Sequence, residues 1–146
     1  MRVLIDSNVI LEVILQREEY DVANSLLEKL YKDKHEILLT TGCFYGMLYT
    51  VDKYLSKVMK LTNPERTNTL RSIMAKVLSL MNVAGHDRES LLRAVGDGGF
   101  TDLEDSCQHQ AALKGQCDYL LTFNVKDYEG ALIPVITPQE FLSRVG

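Results

Sequence analysis

Short apolar runs of strand type recur along the whole chain, and helical periodicity fills the gaps between them. The runs are Arg2 to Ile5, Ile37 to Leu39, Leu80 to Ala84, Tyr119 to Leu121 and Ile133 to Ile136. Ser7 or Asn8 can cap a helix over Val9 to Leu15, and Asp21 opens a second with apolar positions Val22/Ala23, Leu26/Leu27 and Leu30/Tyr31. Phe44, Met47/Leu48, Val51, Leu55 and Val58/Met59 mark a long third helix. Thr62-Asn63-Pro64-Glu65 is a helix start, followed by the stripe Leu70, Ile73/Met74, Val77 and Leu80/Met81. Asp87 caps a helix through Val95, a further helix ends at Lys114-Gly115, and Thr137-Pro138 opens the last, through Arg144. Strands that alternate with helices in this way form a mostly parallel sheet with helices on both faces. Pro134 suits the final run to a sheet edge.

A chain of 146 residues is expected to form one domain, spanning 1–146, with a sizeable core. No apolar run reaches the ~18 residues of a membrane span. Met1-Arg2 runs straight into a strand that Asp6 interrupts, which is unlike a secretory leader. Cys43, Cys107 and Cys117 are odd in number and show no CxxC spacing. A reduced, cytoplasmic setting without a disulfide framework is expected. A net charge of −4 argues against a general nucleic-acid coat protein. It does not exclude a metal-dependent enzyme acting on phosphates, because bound cations reverse the local charge.

Two strand ends carry polar groups at the edge where open α/β sheets bind ligands. Val3-Leu4-Ile5 is followed by Asp6-Ser7-Asn8, and Tyr119-Leu120-Leu121 by Thr122, Asn124 and Asp127. The shared layout is read as two neighbouring strand ends whose acids hold a divalent metal. Asp102, Glu104 and Asp105 open the helix before the second of them. A capping box from Thr101 to Glu104 and the helix dipole account for one or two of these acids. Three acids in four residues repel one another unless a cation is shared. Capping also accounts for Asp6, Asp102 and the Asn124-x-x-Asp127 pair when each is taken alone. His109 lies one turn beyond Asp105, but imidazole suits zinc better than the hard cations of a carboxylate cluster. A hydrogen-bonded helix histidine is the simpler reading. Lys53, Lys57 and Lys60 lie at i, i+4 and i+7 and offer phosphate contacts, or simply a solvated face.

At these residues the chain resembles the PIN-domain ribonucleases, and within them the VapC-type toxins of toxin–antitoxin pairs. The matching pieces are VLIDSNVIL, DLEDSCQHQAALKGQCDYLLTFNVKDY and IPVITPQEFL. The resemblance implies a three-layer α/β/α sandwich, an Mg²⁺ or Mn²⁺ site, an RNA substrate, a small antitoxin partner and a homodimer. It implies a catalytic set of Asp6, Asp105, Asn124 and Asp127, with Asp6 and Asp105 toward metal and Thr122 orienting its strand end; Asp102, from its place in the acidic cluster, is a further metal candidate. The sequence departs from the family pattern twice. Gly46 stands near where a Glu is expected early in the third helix, and Phe123 stands where relatives often have Arg.

The function expected from all this is metal-dependent endoribonuclease activity. The alternative is a PIN-like binding or assembly module impaired by the missing carboxylate. A small-molecule phosphate-ester hydrolase would need a narrow pocket rather than an open groove.

Overall fold

The computed structural model describes residues 1–145. In chain order the elements are β1 (Arg2–Ile5), α1 (Ser7–Ile14), α2 (Tyr20–Lys32), β2 (Glu36–Thr40), α3 (Thr41–Lys57), α4 (Glu65–Leu80) and β3 (Asn82–Ala84). They continue with α5 (Arg88–Gly96), α6 (Leu103–Lys114), β4 (Tyr119–Leu121), a 3-10 turn (Val125–Tyr128), β5 (Val135–Ile136) and α7 (Pro138–Val145). The five strands form one parallel sheet in the order β3-β2-β1-β4-β5.

Alternation along each strand divides the core into two layers. Val3, Ile5, Ile37, Leu39 and Leu121 pack on one face with Val9, Leu26, Leu30, Met47, Val51, Val77 and Phe141, which come from α1, α2, α3, α4 and α7. Leu4, Leu38 and Leu120 pack on the other with Ala111 and Ala112 of α6, Phe100 and Tyr128. α5 lies against α6 on that second side. This is the three-layer α/β/α sandwich that the resemblance implies. Val135–Ile136 forms an edge strand, as Pro134 suggested.

Several helix starts differ from expectation, and each difference has a local cause. The first helix begins at Ser7, two residues early, because Asp6 takes the N-cap backbone position while its side chain makes no cap bond. Pro64 occupies the N-cap of α4, and Asn63 Oδ1 accepts from the Thr67 backbone N–H at 3.2 Å. The cap of α6 is Asp102 rather than Thr101, with its carboxylate accepting from the backbone of Glu104 and Asp105. Asp87 does cap α5, in a reciprocal box with Ser90. The outer apolar positions of α3 are not core: Val58 and Met59 lie past the helix end and are exposed.

Candidate active site

β1 and β4 are adjacent and in register, with Ile5 opposite Leu121, so Asp6 and Thr122 emerge side by side at the carboxyl edge. The Asp6 N–H donates to the Leu121 carbonyl at 3.0 Å, which extends the ladder to the acid itself. The two strand ends are therefore neighbours, as the sequence suggested. α6 crosses above them and brings its first two turns to the same point.

Asp6 is buried and held on both oxygens. Gln108 Nε2 donates to Oδ1 at 2.9 Å, and Thr122 Oγ1 donates to Oδ2 at 3.0 Å. Thr122 is itself fixed, because Asn8 Nδ2 and the Asn124 backbone N–H donate to its hydroxyl oxygen at 3.0 and 3.1 Å. Thr122 thus ties the end of β4 to Asp6 and Asn8. Asp105 is half-buried, and Tyr128 donates its hydroxyl to Asp105 Oδ1 at 3.1 Å. Gln108 Nε2 also lies 3.3 Å from the Tyr128 hydroxyl. Tyr128 and Gln108 therefore link the two acids from beneath.

No lysine or arginine forms an ion pair with Asp6, Asp102, Glu104, Asp105 or Asp127 among the described residues. Burial, followed by the negative charges of Asp102, Asp6 and Asp127, pushes the Asp105 carboxyl up to about 6. Burial beside Asp6 and Asp105 likewise pushes the Tyr128 hydroxyl well above its ordinary value. It therefore stays a donor at any working pH.

The raised Asp105 value has a sign that can be tested. The unfolded carboxyl titrates near 3.8 and the folded one near 6. Between those values the folded chain holds more protons, so stability falls as pH rises through that window. Asp105→Asn should stabilise the metal-free protein at pH 8 by about 1–2 kcal/mol, after discounting for solvent access, and leave it nearly unchanged at pH 4. Urea unfolding in EDTA at the two pH values reads this directly. An equal effect at both would remove the carboxylate charge as its origin.

A cleft of about 690 Å³ opens over the acids. Asp6, Asp105, Glu104 and Gln108 lie along one side, and Tyr45, Gly46 and Tyr49 of α3 line the wall, with Leu91 and Leu103 at the mouth. Cys43 and Cys107 also line it, and burial raises both thiols above their ordinary values, so they remain protonated. A side chain at Gly46 would meet open space, since a Cβ there has no heavy atom within 4 Å. The glycine at the expected Glu position thus faces the cleft itself.

The remaining candidates take different places. Asp102 spends one oxygen on capping α6, at 2.8 and 3.2 Å from the backbone nitrogens of Glu104 and Asp105. Asn124 and Asp127 are exposed on and beside the 3-10 turn and do not line the cleft. Asp127 still acts on Asp105 through its charge. His109 is fully buried beneath Phe100, and its Nε2 accepts from the Leu132 N–H at 2.9 Å, so it is a structural helix histidine. Lys53 and Lys57 are exposed on α3, whereas Lys60 lies past its end in a left-handed turn.

Gln108 and Tyr128 are site residues that sequence reasoning did not single out, and Asn8, noted at the end of β1 and as a helix cap, instead holds Thr122. Gln108 stands three residues after Asp105, on a shared helix face, which was the available signal.

The fold agrees with comparison to known proteins. A model of the PIN domain matches residues 2–126. The chain is 26% identical to Ribonuclease VapC1 of Aquifex aeolicus (strain VF5), across 98% of this chain and 94% of the relative. Among solved structures it is similar to VapBC2 from Rickettsia felis bound to a promoter DNA fragment, with TM-score 0.68 and 14% identity over 94% of this chain and 98% of that one. FitAcB from Neisseria gonorrhoeae is similar with TM-score 0.70 and 17% identity, over 94% and 98%. The fold, the acids at the ends of β1 and at the start of α6, and a family match over most of the length lead to one assignment: the chain belongs to the PIN-domain family.

Proposed function

We propose that this protein is a VapC-like ribonuclease of a toxin–antitoxin pair, which hydrolyses RNA phosphodiester bonds with Mg²⁺ or Mn²⁺. The observation that carries the reading is the convergence of Asp6 and Asp105 at one cleft with no cationic side chain to balance them. The name of the curated relative supports the nuclease class, and the toxin–antitoxin assemblies among the structural neighbours support a small protein partner. A homodimer is part of the same proposal.

The donor set fits a hard cation. Two carboxylates at a cleft floor with no cationic partner among the described residues suit Mg²⁺ or Mn²⁺, which bind through one or two carboxylates and substrate phosphate oxygens. Among the described residues no three His, Cys, Asp or Glu side chains are grouped to hold an ion by themselves. Asp6 and Asp105 would hold it, and waters or substrate would complete the shell. When bound, such an ion polarises a phosphoryl oxygen and lowers the pKa of an attacking water. The protein's own contribution is positional. Gln108 and Thr122 lock the Asp6 carboxylate in place, and Tyr128 fixes Asp105 relative to it. Asn124, Asp127 and Asp102 add negative or polar groups around this pair rather than in the cleft wall.

Gly46 favours a second reading, in which the fold binds but no longer cleaves. The deciding experiment is incubation of a mixed structured RNA with purified, partner-free protein in Mn²⁺, in Mg²⁺ and in EDTA. Cleavage with either metal that stops in EDTA is expected. Intact RNA under all three conditions, from folded protein, would sink the nuclease reading in favour of the binding module.

A further inference from the structure

We propose that α3 carries the track for the substrate strand, in which Tyr45 and Tyr49 stack unpaired bases and Lys53 and Lys57 hold the phosphates beyond them. The inference rests on the ribonuclease reading and extends it to how the strand is held: by its base faces near the acids and by its phosphates farther out. The four residues recur every four positions along one helix, and all four are exposed. Each step turns about 40° and rises about 6 Å, so Tyr45 and Lys57 are about 18 Å apart along the axis. Gly46, which opens onto the cleft, falls within the same arc of α3, while Met47, Val51 and Leu55 occupy the opposite, buried arc. The track therefore starts at the acids and leads away from them.

Its chemistry changes along its length. Near Asp6 and Asp105 it is aromatic and uncharged, with Tyr45 65% and Tyr49 71% exposed. Tyr45 makes an edge contact with Phe44, with ring centroids 6.0 Å apart, and both tyrosines still leave most of their surface open beside the carboxylate floor. Farther out it is cationic, and neither Lys53 nor Lys57 forms an ion pair among the described residues. Lysines at that remove attract phosphates without neutralising the acids, because screening confines each charge to roughly 8 Å. Stacking platforms joined to cations are how proteins hold single strands, and every base offers a face to an aromatic ring. In an acidic protein this is the available source of affinity. Lys60, outside the helix, does not continue the stripe.

The test uses the full chain. It has no tryptophan, so Tyr49→Trp places a single reporter on the track. In EDTA, a single-stranded RNA octamer should quench this fluorescence, and an abasic octamer of equal length should not. With metal, the Tyr45→Ala/Tyr49→Ala double variant should raise KM about tenfold or more with kcat within threefold, and Tyr→Phe at both positions should restore KM. Lys53→Ala and Lys57→Ala should each lower the slope of log affinity against log salt by about 0.7. Metal-dependent cleavage by wild type, combined with an unmoved KM in the double variant and no quenching, would overturn the track and leave the nuclease reading standing. So would a double variant that cleaves normally but loses a co-purifying protein partner, which would assign the tyrosines to that partner. Absence of cleavage by wild type under every metal would overturn both.

Discussion

Asp6→Asn is expected to lower RNA cleavage by about 10³-fold or more while the protein remains folded. The side chain is the convergence point of the site. It follows β1 directly, takes hydrogen bonds from Gln108 and Thr122, and lies beneath the cleft that Asp105 shares. An amide keeps the shape and removes the charge, so a ligand for a hard cation is lost, and with it the polarisation of the phosphoryl oxygen, worth several kcal/mol in the transition state. The swap also has a structural cost. Both partners of Asp6 donate, so one of them must now face an N–H. Gln108 Oε1 is already buried without a partner, so rotation of the Gln108 amide can present that oxygen to the new Asn and relieve the conflict. The expected destabilisation is therefore only about 1 kcal/mol. Rates measured under saturating Mn²⁺, with urea unfolding as the control, separate the two effects. Cleavage within tenfold of wild type would remove Asp6 from the reaction.

The same residue shows what the sequence could and could not disclose. That β1 ends in an acid and β4 ends beside a polar cluster was legible, because strand ends and helix starts are marked by local residues. That the two ends touch is only suggested by their matching layout, because alternation of strands and helices restricts the order of a parallel sheet without fixing it. The role of each acid in the α6 cluster was not legible. Asp102 and Asp105 stand three apart, and either can cap or face a cleft until the helix is docked. In the structure Asp102 caps, which leaves Asp105 to face the site. Gln108 and His109 were likewise ambiguous. Residues at i+3 and i+4 fall on opposite sides of residue i, about 60° one way and 40° the other. Only the packing of α6 over β1 and β4 decides that Gln108 meets Asp6 while His109 goes under Phe100. The cleft wall was the least visible part, since it joins α3 to α5 and α6 across the molecule. The tyrosines of α3 read as ordinary helix residues until that packing is known.

Gly46→Glu is expected to tighten Mn²⁺ binding by about tenfold relative to Gly46→Ala. The position is a gap in an otherwise complete wall: it lines the cleft with Asp6 and Asp105, and a side chain there would enter open space. The alanine variant is the necessary reference, because glycine inside a helix costs about 0.5–1 kcal/mol relative to alanine, a gain unrelated to metal. Gly46→Ala should therefore stabilise the protein equally with and without metal. Gly46→Glu adds a carboxylate to a cluster that already raises the Asp105 carboxyl to about 6, so in EDTA it should gain less than alanine through repulsion. With Mn²⁺ the order should reverse, since a third oxygen ligand offsets that repulsion and ligand binding stabilises the folded state by mass action. Thermal melts of the three proteins across a Mn²⁺ titration measure both signs at once. Superimposable metal responses for the Ala and Glu variants would show that position 46 cannot reach the ion. The wild-type site would then be complete with Asp6 and Asp105 alone, and the glycine would serve the opening of the cleft rather than mark a lost ligand.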